Sequence, residues 1–217
     1  MPHIRKIRVA GTALNVPVEI YPCSFEDVVF WQRRIHDRHI APAGGIGSDW
    51  DWPACFLGCH FVEQLKRRQA LSFQLRVDDG DGIGFPVAQA LFSLGYPWPA
   101  DKRHQCVFNG FIAAAPRIAL LDRGIPHRYA ILAPLLDIAV QVSVAHGLCG
   151  RIGLHAALGT REESDDLVRR YKTMGLSQTA RRRWWLFRFP HRWEDGRLFY
   201  FKPEDALPFA AKQDDLR

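Results

Sequence analysis

Hydrophobic positions in the first third of the chain follow the strand period and then the helix period. Residues 3–21 carry β-branched side chains near every second position, around a polar turn, which predicts extended chain. Ser24 and Asp27 have the spacing of a capping box, and the apolar residues after them predict a helix that ends before Pro42. After a loop rich in glycine and proline, helical spacing returns over residues 53–68 and predicts a second helix.

The middle of the chain has the alternation of a hairpin followed by a third strand. Residues 70–77 and 85–94 flank the turn 78–82, which is rich in aspartate and glycine. Residues 106–115 form a further apolar run that ends at a proline, which predicts a buried strand. The next stretch, 117–126, has no clear periodicity and is predicted to be irregular.

Helices and strands alternate in the second half of the chain. The predicted elements are a helix over 128–146, a strand over 150–157, a helix over 162–174, strands over 184–189 and 197–201, and a short helix from Pro203. Strands that alternate with helices imply parallel crossover connections, whereas hairpins imply antiparallel pairs. The predicted fold class is therefore α/β, a single domain over residues 1–217 with a mixed, mostly antiparallel sheet flanked by helices.

Composition places the chain among ordinary globular proteins. It has 217 residues, of which 47% are hydrophobic and 24% charged, and this excludes a disordered or collagen-like chain. The formal net charge is +6, and six of the 29 basic residues are lysines, so 29 − 6 = 23 are arginines. Arginine binds phosphates and carboxylates through paired hydrogen bonds. The charge balance therefore permits an anionic partner without requiring one.

The cysteines and the apolar stretches predict a reducing environment away from membranes. Five cysteines are an odd number, and the first residues lack the apolar run of a secretory signal. The longest apolar stretch, 129–145, is interrupted by Pro134, Asp137 and Gln141, so it is shorter than the ~18 uninterrupted apolar residues of a membrane span. We expect free thiols, a cytoplasmic location and no membrane contact.

Two short motifs resemble metal sites but are better explained by local structure. Cys55, Cys59 and His60 lie within one predicted helix, and no second pair of ligands follows at zinc spacing. The acidic residues of the 78–82 segment lack the terminal glutamate of a calcium loop. We interpret the first motif as buried thiols and the second as a hairpin turn, and we expect no metal.

The most informative motif is the sequence LVRRYKTMGL. A predicted helix ends there at Gly175, with Tyr171 four residues before that glycine, and the preceding strand comes shortly after Gly147. This order resembles the second half of the GNAT acetyltransferase superfamily, whose pattern is a helix, a glycine, a strand, a short loop and a helix with Y-x-x-x-G-F. Leu176 stands where the family has phenylalanine. The final strand of the chain also looks like the closing strand of many members.

The resemblance implies a fold in which two neighbouring parallel strands splay apart into a V and bind acyl-coenzyme A between them. The pantetheine arm would run along the strand that ends near residues 113–115, and the pyrophosphate would lie at the start of the 128–146 helix. Free backbone N–H groups and the helix dipole make a helix start a natural phosphate site. The residues that would bind the cofactor are Ile112, Ala113, Ala114, Arg123, Arg128, Ile131 and Ala133.

The same resemblance implies an N-acetyltransferase with acetyl-CoA as co-substrate, in which an amine attacks the thioester directly. Tyr171 would protonate the leaving thiolate, because a phenol with an ordinary pKa of about 10 carries its proton at neutral pH. A backbone N–H of residues 112–114 would polarise the acyl carbonyl. His155, Asp49 and Asp51 are candidates for the general base. The alternative is a packing role for the histidine and a turn or N-cap role for the aspartates.

Two features keep other functions open. In the best register of the family's glycine-rich phosphate loop, residues 128–133, Ile131 stands where a glycine is expected. A non-catalytic member that uses the fold as a binding module is therefore one alternative. An RNA- or protein-binding domain is the other, because arginines and tryptophans cluster at 181–185 and basic residues at 66–68 and 169–170. The sequence does not decide whether the protein forms a homodimer. It also does not decide whether the amine acceptor is a small molecule, a peptide or an aminoacyl-tRNA.

Overall fold

Two sheets carry the strands of the computed structural model, which describes residues 2–80, 82, 84–180 and 196–217. The smaller sheet pairs β1 (Lys6–Arg8) with β2 (Asn15–Pro17). The larger contains β3 (Glu19–Pro22), β4 (Gln69–Val77), β5 (Phe85–Pro97), β6 (Gln105–Ala114), β7 (Ile152–His155), β8 (Ser177–Gln178) and β9 (Leu198–Phe201). Its order is β3-β4-β5-β6-β7-β9-β8, and β6 and β7 are its parallel pair in the described residues. The predicted mixed, mostly antiparallel sheet is confirmed.

Helices flank this sheet. They are α1 (Phe25–Trp31), α2 (Trp52–Leu65), α3 (Arg117–Leu121), α4 (Leu132–Ala145), α5 (Arg161–Thr173) and α6 (Pro203–Ala211), with a short 3-10 helix at Asp214–Leu216. Within the described part of the chain, none of them combines the length and the apolar character needed to cross a bilayer.

The capping box predicted at the start of α1 is present. The backbone N–H of Asp27 donates to Ser24 Oγ at 3.3 Å, and the N–H of Ser24 donates to the Asp27 carboxylate at 2.8 Å. The helix then widens into a π-helix over Gln32–Ile40. This form is rare in proteins, and where it occurs it is often at a functional site. In this π-helix, His36 Nε2 donates to the carbonyl of Gly47 at 2.9 Å. The π-helix thereby fixes the loop that connects α1 to α2.

The start of α4 differs from the prediction. The sequence pattern placed it at Arg128, but α4 begins at Leu132. The residues before it are held in an extended form by the N-terminal segment: Ala10 N–H donates to the carbonyl of Arg128 at 2.6 Å, and Ala130 N–H donates to that of Arg8 at 2.9 Å. A contact with residues more than a hundred positions away therefore outweighs local helical spacing.

Two other predictions also differ from the structure, the end of the second helix and the irregular stretch 117–126. The second helix ends at Leu65 and not at Arg68, because Arg67 adopts a positive φ of 52° that an α-helix does not contain. The stretch 117–126, predicted to be irregular, contains the short α3. The strand predicted at 184–189 lies outside the described residues, and within them β9 pairs with β7 and β8.

Candidate active site

A cleft opens where the parallel strands β6 and β7 separate. They are paired from Val107 to Asn109 on β6, and β7 ends at His155 while β6 continues to Ala114. The register of β6 against β5 shifts at Gly110, which is a β-bulge. Bulges bend a strand and increase its twist, so Gly110 lies at the point where β6 turns away from β7. The end of β6 therefore has β5 on one side and the cleft on the other.

The cleft contains a cavity of about 580 Å³. Its walls come from the end of β6, the start of α4, the end of β7 and the loop after it, one face of α5, and the loop between α1 and α2. The lining residues are Ile46, Asp49, Trp50, Asn109–Ala114, Ile131, Leu132, Leu154, His155, Ala157, Leu158, Glu163, Asp166, Leu167, Arg170 and Tyr171. Most of these are apolar, as is usual for a cavity that holds an organic ligand.

Tyr171 reaches this cavity from α5. Its side chain is 5% exposed, and its ring packs on Phe199 of β9 with the ring centres 5.2 Å apart. Burial raises the pKa of the phenol well above its ordinary value, and the positive charge of Arg197 opposes part of that rise. The hydroxyl therefore keeps its proton throughout the physiological pH range.

The strand order, the splayed parallel pair and the succession of α4, β7 and α5 together decide the architecture. The chain has a mixed, mostly antiparallel sheet with a splayed parallel pair, the architecture that the resemblance to the GNAT superfamily implies. Its V is formed by β6 and β7, and the Tyr171 motif lies on the helix after the second strand of the V.

Several solved structures resemble this chain at low sequence identity. A tyrosine-to-phenylalanine mutant of the AtaT toxin, bound to the C-terminus of the antitoxin AtaR, has a TM-score of 0.48 and 12% identity, over 91% of this chain and 99% of that one. The same mutant toxin bound to the C-terminus of AtaR and acetyl-CoA has a TM-score of 0.46 and 14% identity, over 88% and 98%. A KacTA–DNA complex has a TM-score of 0.46 and 12% identity, over 90% and 99%. No family model and no curated protein matches the sequence.

The cleft between β6 and β7 contains four of the seven predicted cofactor residues. Ile112, Ala113, Ala114 and Ile131 line the cavity, and Ala133 lies in the first turn of α4. The two arginines are not among the described residues that line it. The Arg123 guanidinium lies 5.4 Å from the ring centre of Phe85, and the backbone of Arg128 is bonded to the N-terminal segment.

The start of α4 faces the cleft between β6 and β7, and no described side chain caps it. Ile131 is the N-cap residue and makes no capping hydrogen bond, and the third helical residue is Pro134, which has no N–H group. The backbone N–H groups of Leu132 and Ala133 therefore remain as donors at this helix end. Free N–H groups at the start of a helix are suited to bind an anion.

The structure distinguishes the three candidates for the general base by whether they line the cavity. His155 and Asp49 line the cavity. Asp51 does not line the cavity. Its carboxylate instead accepts a hydrogen bond from the N–H of Ala54 at 2.9 Å and caps α2. The N-cap interpretation of Asp51 is therefore confirmed.

Several residues that the sequence interpretation did not single out also line the cavity. Trp50 packs edge-on against Phe111 of β6 with the ring centres 5.1 Å apart, and it holds the loop between α1 and α2 against the strand. Asn109 is the one polar side chain in the sequence CVFNGFIAAA, a signal that was available from the sequence. Glu163 has no comparable signal, because its N3 position in a capping box explains it fully.

The loop between α1 and α2 closes one end of the cleft by packing on the start of α5. A side chain on Gly159 would place its Cβ 2.7 Å from the Glu163 carboxylate and similarly close to Ile46, so glycine permits this approach. Asp49, Glu163 and Asp166 bring negative charge to the cavity, and Asp166 accepts a hydrogen bond from Arg170 Nε at 2.6 Å. Arg170 also lines the cavity, so the described lining has three carboxylates and one guanidinium.

The basic clusters are largely engaged within the protein. Arg169 and Arg170 both contact Asp166, and Arg68 forms an ion pair with the buried Glu63. Residues 181–185 lie outside the described part of the chain. Arg68 and the 169–170 cluster are therefore paired with carboxylates, whereas Lys66 and Arg67 are exposed.

The cysteines of α2 border a smaller cavity of about 320 Å³ between that helix and β5 and β6. Burial raises the pKa of the Cys55 thiol to about 11, and the neighbouring Cys59 and the carboxylates of Asp51 and Asp49 act in the same direction. Such a thiol is protonated and unreactive at neutral pH. The described residues contain no group of metal-ligating side chains.

Proposed function

We propose that this chain is an acyl-CoA-dependent N-acyltransferase that moves an acetyl group from acetyl-CoA to a primary amine. The observation that carries the proposal is Tyr171, a buried and protonated phenol in the wall of the cleft between β6 and β7. Acetyl is the acyl group that the resemblance implies.

The cleft suits the long arm of acyl-CoA. Beyond Asn109, no strand of the described chain pairs with β6 on its β7 side, so backbone groups of Ile112–Ala114 are available to an extended ligand. The arm would run along this edge from the start of α4, where the N–H groups of Leu132 and Ala133 would receive the pyrophosphate. In this arrangement the positive charges of Arg123 and Arg128 would favour the phosphates through their electrostatic field.

In the proposed reaction, the amine nitrogen attacks the thioester carbon and a tetrahedral intermediate forms. The carbon–sulfur bond then breaks, and the sulfur takes the proton of the Tyr171 hydroxyl as coenzyme A leaves. The attacking nitrogen loses a proton to His155 or Asp49, both of which line the cavity. The position of Tyr171 supports this role, because its side chain borders the cavity that would hold the thioester and its hydroxyl carries a proton at neutral pH.

Binding of acetyl-CoA tests the proposal. We expect acetyl-CoA to raise the melting temperature of the purified protein and to give a saturable heat in calorimetry, because a ligand that binds the folded state stabilises it. Release of coenzyme A should then be measured with a panel of amines that includes polyamines, peptides and aminoacyl-tRNA. If acetyl-CoA gives neither a thermal shift nor heat, the proposal is wrong.

A non-catalytic binding module is the second candidate, and Ile131 favours it. This side chain stands at the N-cap of α4 inside the cleft, where a glycine would let a phosphate approach the backbone more closely. Saturable binding of coenzyme A, with no release of thiol from acetyl-CoA for any amine in the panel, would support this candidate over the enzyme.

A further inference from the structure

Asn109 is buried at the closed end of the cleft. It is the last residue of β6 paired with β7, opposite Leu154, and the bulge at Gly110 follows it directly. The residue is 2% exposed and belongs to the wall of the cavity. The V of the fold therefore has a carboxamide at its apex, among apolar neighbours.

This carboxamide makes no hydrogen bond within the described part of the chain. Both Oδ1 and Nδ2 are buried and neither has a partner there. A carboxamide can donate two hydrogen bonds and accept two, and buried polar groups in folded proteins are nearly always paired. Leaving them unpaired destabilises the fold, so a group of this kind in a cavity wall indicates a bound partner.

The position of Asn109 indicates which part of a ligand it would meet. An arm that enters at the start of α4 and follows β6 from Ala114 towards Gly110 ends at the apex of the V. The end of the arm is the acyl thioester, whose single strong hydrogen-bonding atom is its carbonyl oxygen. An amide N–H is the donor that such an oxygen accepts.

We infer that Asn109 Nδ2 donates a hydrogen bond to the carbonyl oxygen of the acyl thioester; this inference rests on the proposed function. The bond strengthens as the amine attacks and the oxygen becomes an oxyanion, so Asn109 stabilises the tetrahedral intermediate and also recognises the acyl group. The asparagine gives up no proton, and the carbon–sulfur bond breaks as described above.

The experiment compares two ligands that differ only in the acyl group. Affinities for acetyl-CoA and for coenzyme A are measured by calorimetry for the wild-type protein, Asn109→Leu and the control Gln89→Leu. Leucine is close to asparagine in size and removes the carboxamide. Gln89 on β5 is also a fully buried amide, but it lies outside the cavity lining, and its Oε1 accepts a hydrogen bond from Gln74 Nε2 at 2.8 Å.

We expect Asn109→Leu to bind acetyl-CoA roughly fivefold more weakly and coenzyme A as well as the wild type does. Its turnover number should fall by about 10²-fold, as for the loss of an oxyanion donor. Its melting temperature should equal or exceed that of the wild type, because an unpaired buried amide has been removed. Gln89→Leu should melt at a lower temperature and keep the wild-type ratio of the two affinities.

Three outcomes would overturn the inference. Equal weakening for both ligands would assign Asn109 to the common arm and not to the acyl carbonyl. Unchanged affinities and turnover would give it no contact with substrate. A wild-type protein that binds neither ligand would remove the proposed function itself, which distinguishes that failure from the other two. If Asn109→Leu does not fold, Asn109→Ser gives the same comparison, because its short hydroxyl cannot replace the amide.

Discussion

Two buried polar regions of the sheet differ in how their hydrogen bonds are used. Next to α1, Arg76 of β4 donates to Asp27 at 2.7 Å and to Gln74 at 2.9 Å, and its guanidinium lies 3.7 Å from the ring centre of Tyr21. At the cleft, Asn109 has no partner in the described residues. In the first region the charged groups are paired within the protein and act in stability, whereas the second is suited to completion by a ligand.

The largest expected effect is a loss of turnover, and it tests whether the cleft is the active site. Tyr171→Phe should reduce turnover by about 10²–10⁴-fold, because it removes the proton for the leaving thiolate. Its affinity for acetyl-CoA should change little, since the ring and its packing on Phe199 remain. Steady-state release of coenzyme A and calorimetry measure the two quantities.

Tyr129→Phe is the matched control for this substitution, because Tyr129 lies outside the cavity lining and forms a backbone bridge to Val9. It should retain wild-type turnover. Loss of activity in Tyr129→Phe equal to that in Tyr171→Phe would remove the special role of Tyr171.

The next effect tests the region beside α1. Arg76→Met should lower the free energy of unfolding by roughly 3 kcal/mol, because it leaves the half-buried Asp27 without its charged partner. Urea denaturation measures this loss. Arg103→Ala, which breaks an exposed ion pair with Asp101, should give no measurable change. Similar effects of the two substitutions would contradict the assignment of Arg76 to a stabilising network.

A smaller effect depends on pH. Burial alone would raise the pKa of Asp27, but hydrogen bonds from Ser24 and the bond and charge of Arg76 outweigh it, so the pKa lies below its ordinary value. A lowered pKa in the folded state stabilises the protein above the unfolded pKa of about 4, and this stabilisation is lost as the pH falls through the folded pKa. The stability difference between wild type and Asp27→Asn should therefore shrink on acidification. A constant difference from neutral to acidic pH would contradict this.

The smallest expected effect is on absorbance, where the phenol of Tyr171 should contribute no ionisation. Because burial raises the pKa of Tyr171, its phenol should not ionise between neutral pH and about 10, where exposed tyrosines titrate. The tyrosinate absorbance of the wild type minus that of Tyr171→Phe measures this single group. A difference spectrum that titrates at or below pH ~10 would show that Tyr171 is not in an apolar environment.

The sequence predicted local structure well where the cause is local. Ser24 and Asp27 cap α1 because a capping box needs only residues three apart. The predicted start of α4 was wrong, because the N-terminal segment holds Arg128 in extended chain, and no local pattern carries that information. Arg128, predicted to bind the cofactor, lies in this extended segment and is not among the described residues that line the cavity.

The sequence by itself determined most of the elements and the motif around Tyr171, because these depend on periodicity and on spacing within single elements. The role of the strand edge at Ile112–Ala114 came from the resemblance to a known superfamily. Only the tertiary structure decided which side chains share the cleft. It brought Asp49 and Glu163 to one cavity, assigned Asp51 to a helix cap, and placed Asn109 at the apex of the V without a partner in the described chain. These are properties of the packing between distant segments, and the hydrogen bonds and burial that define them exist only once the sheet has formed.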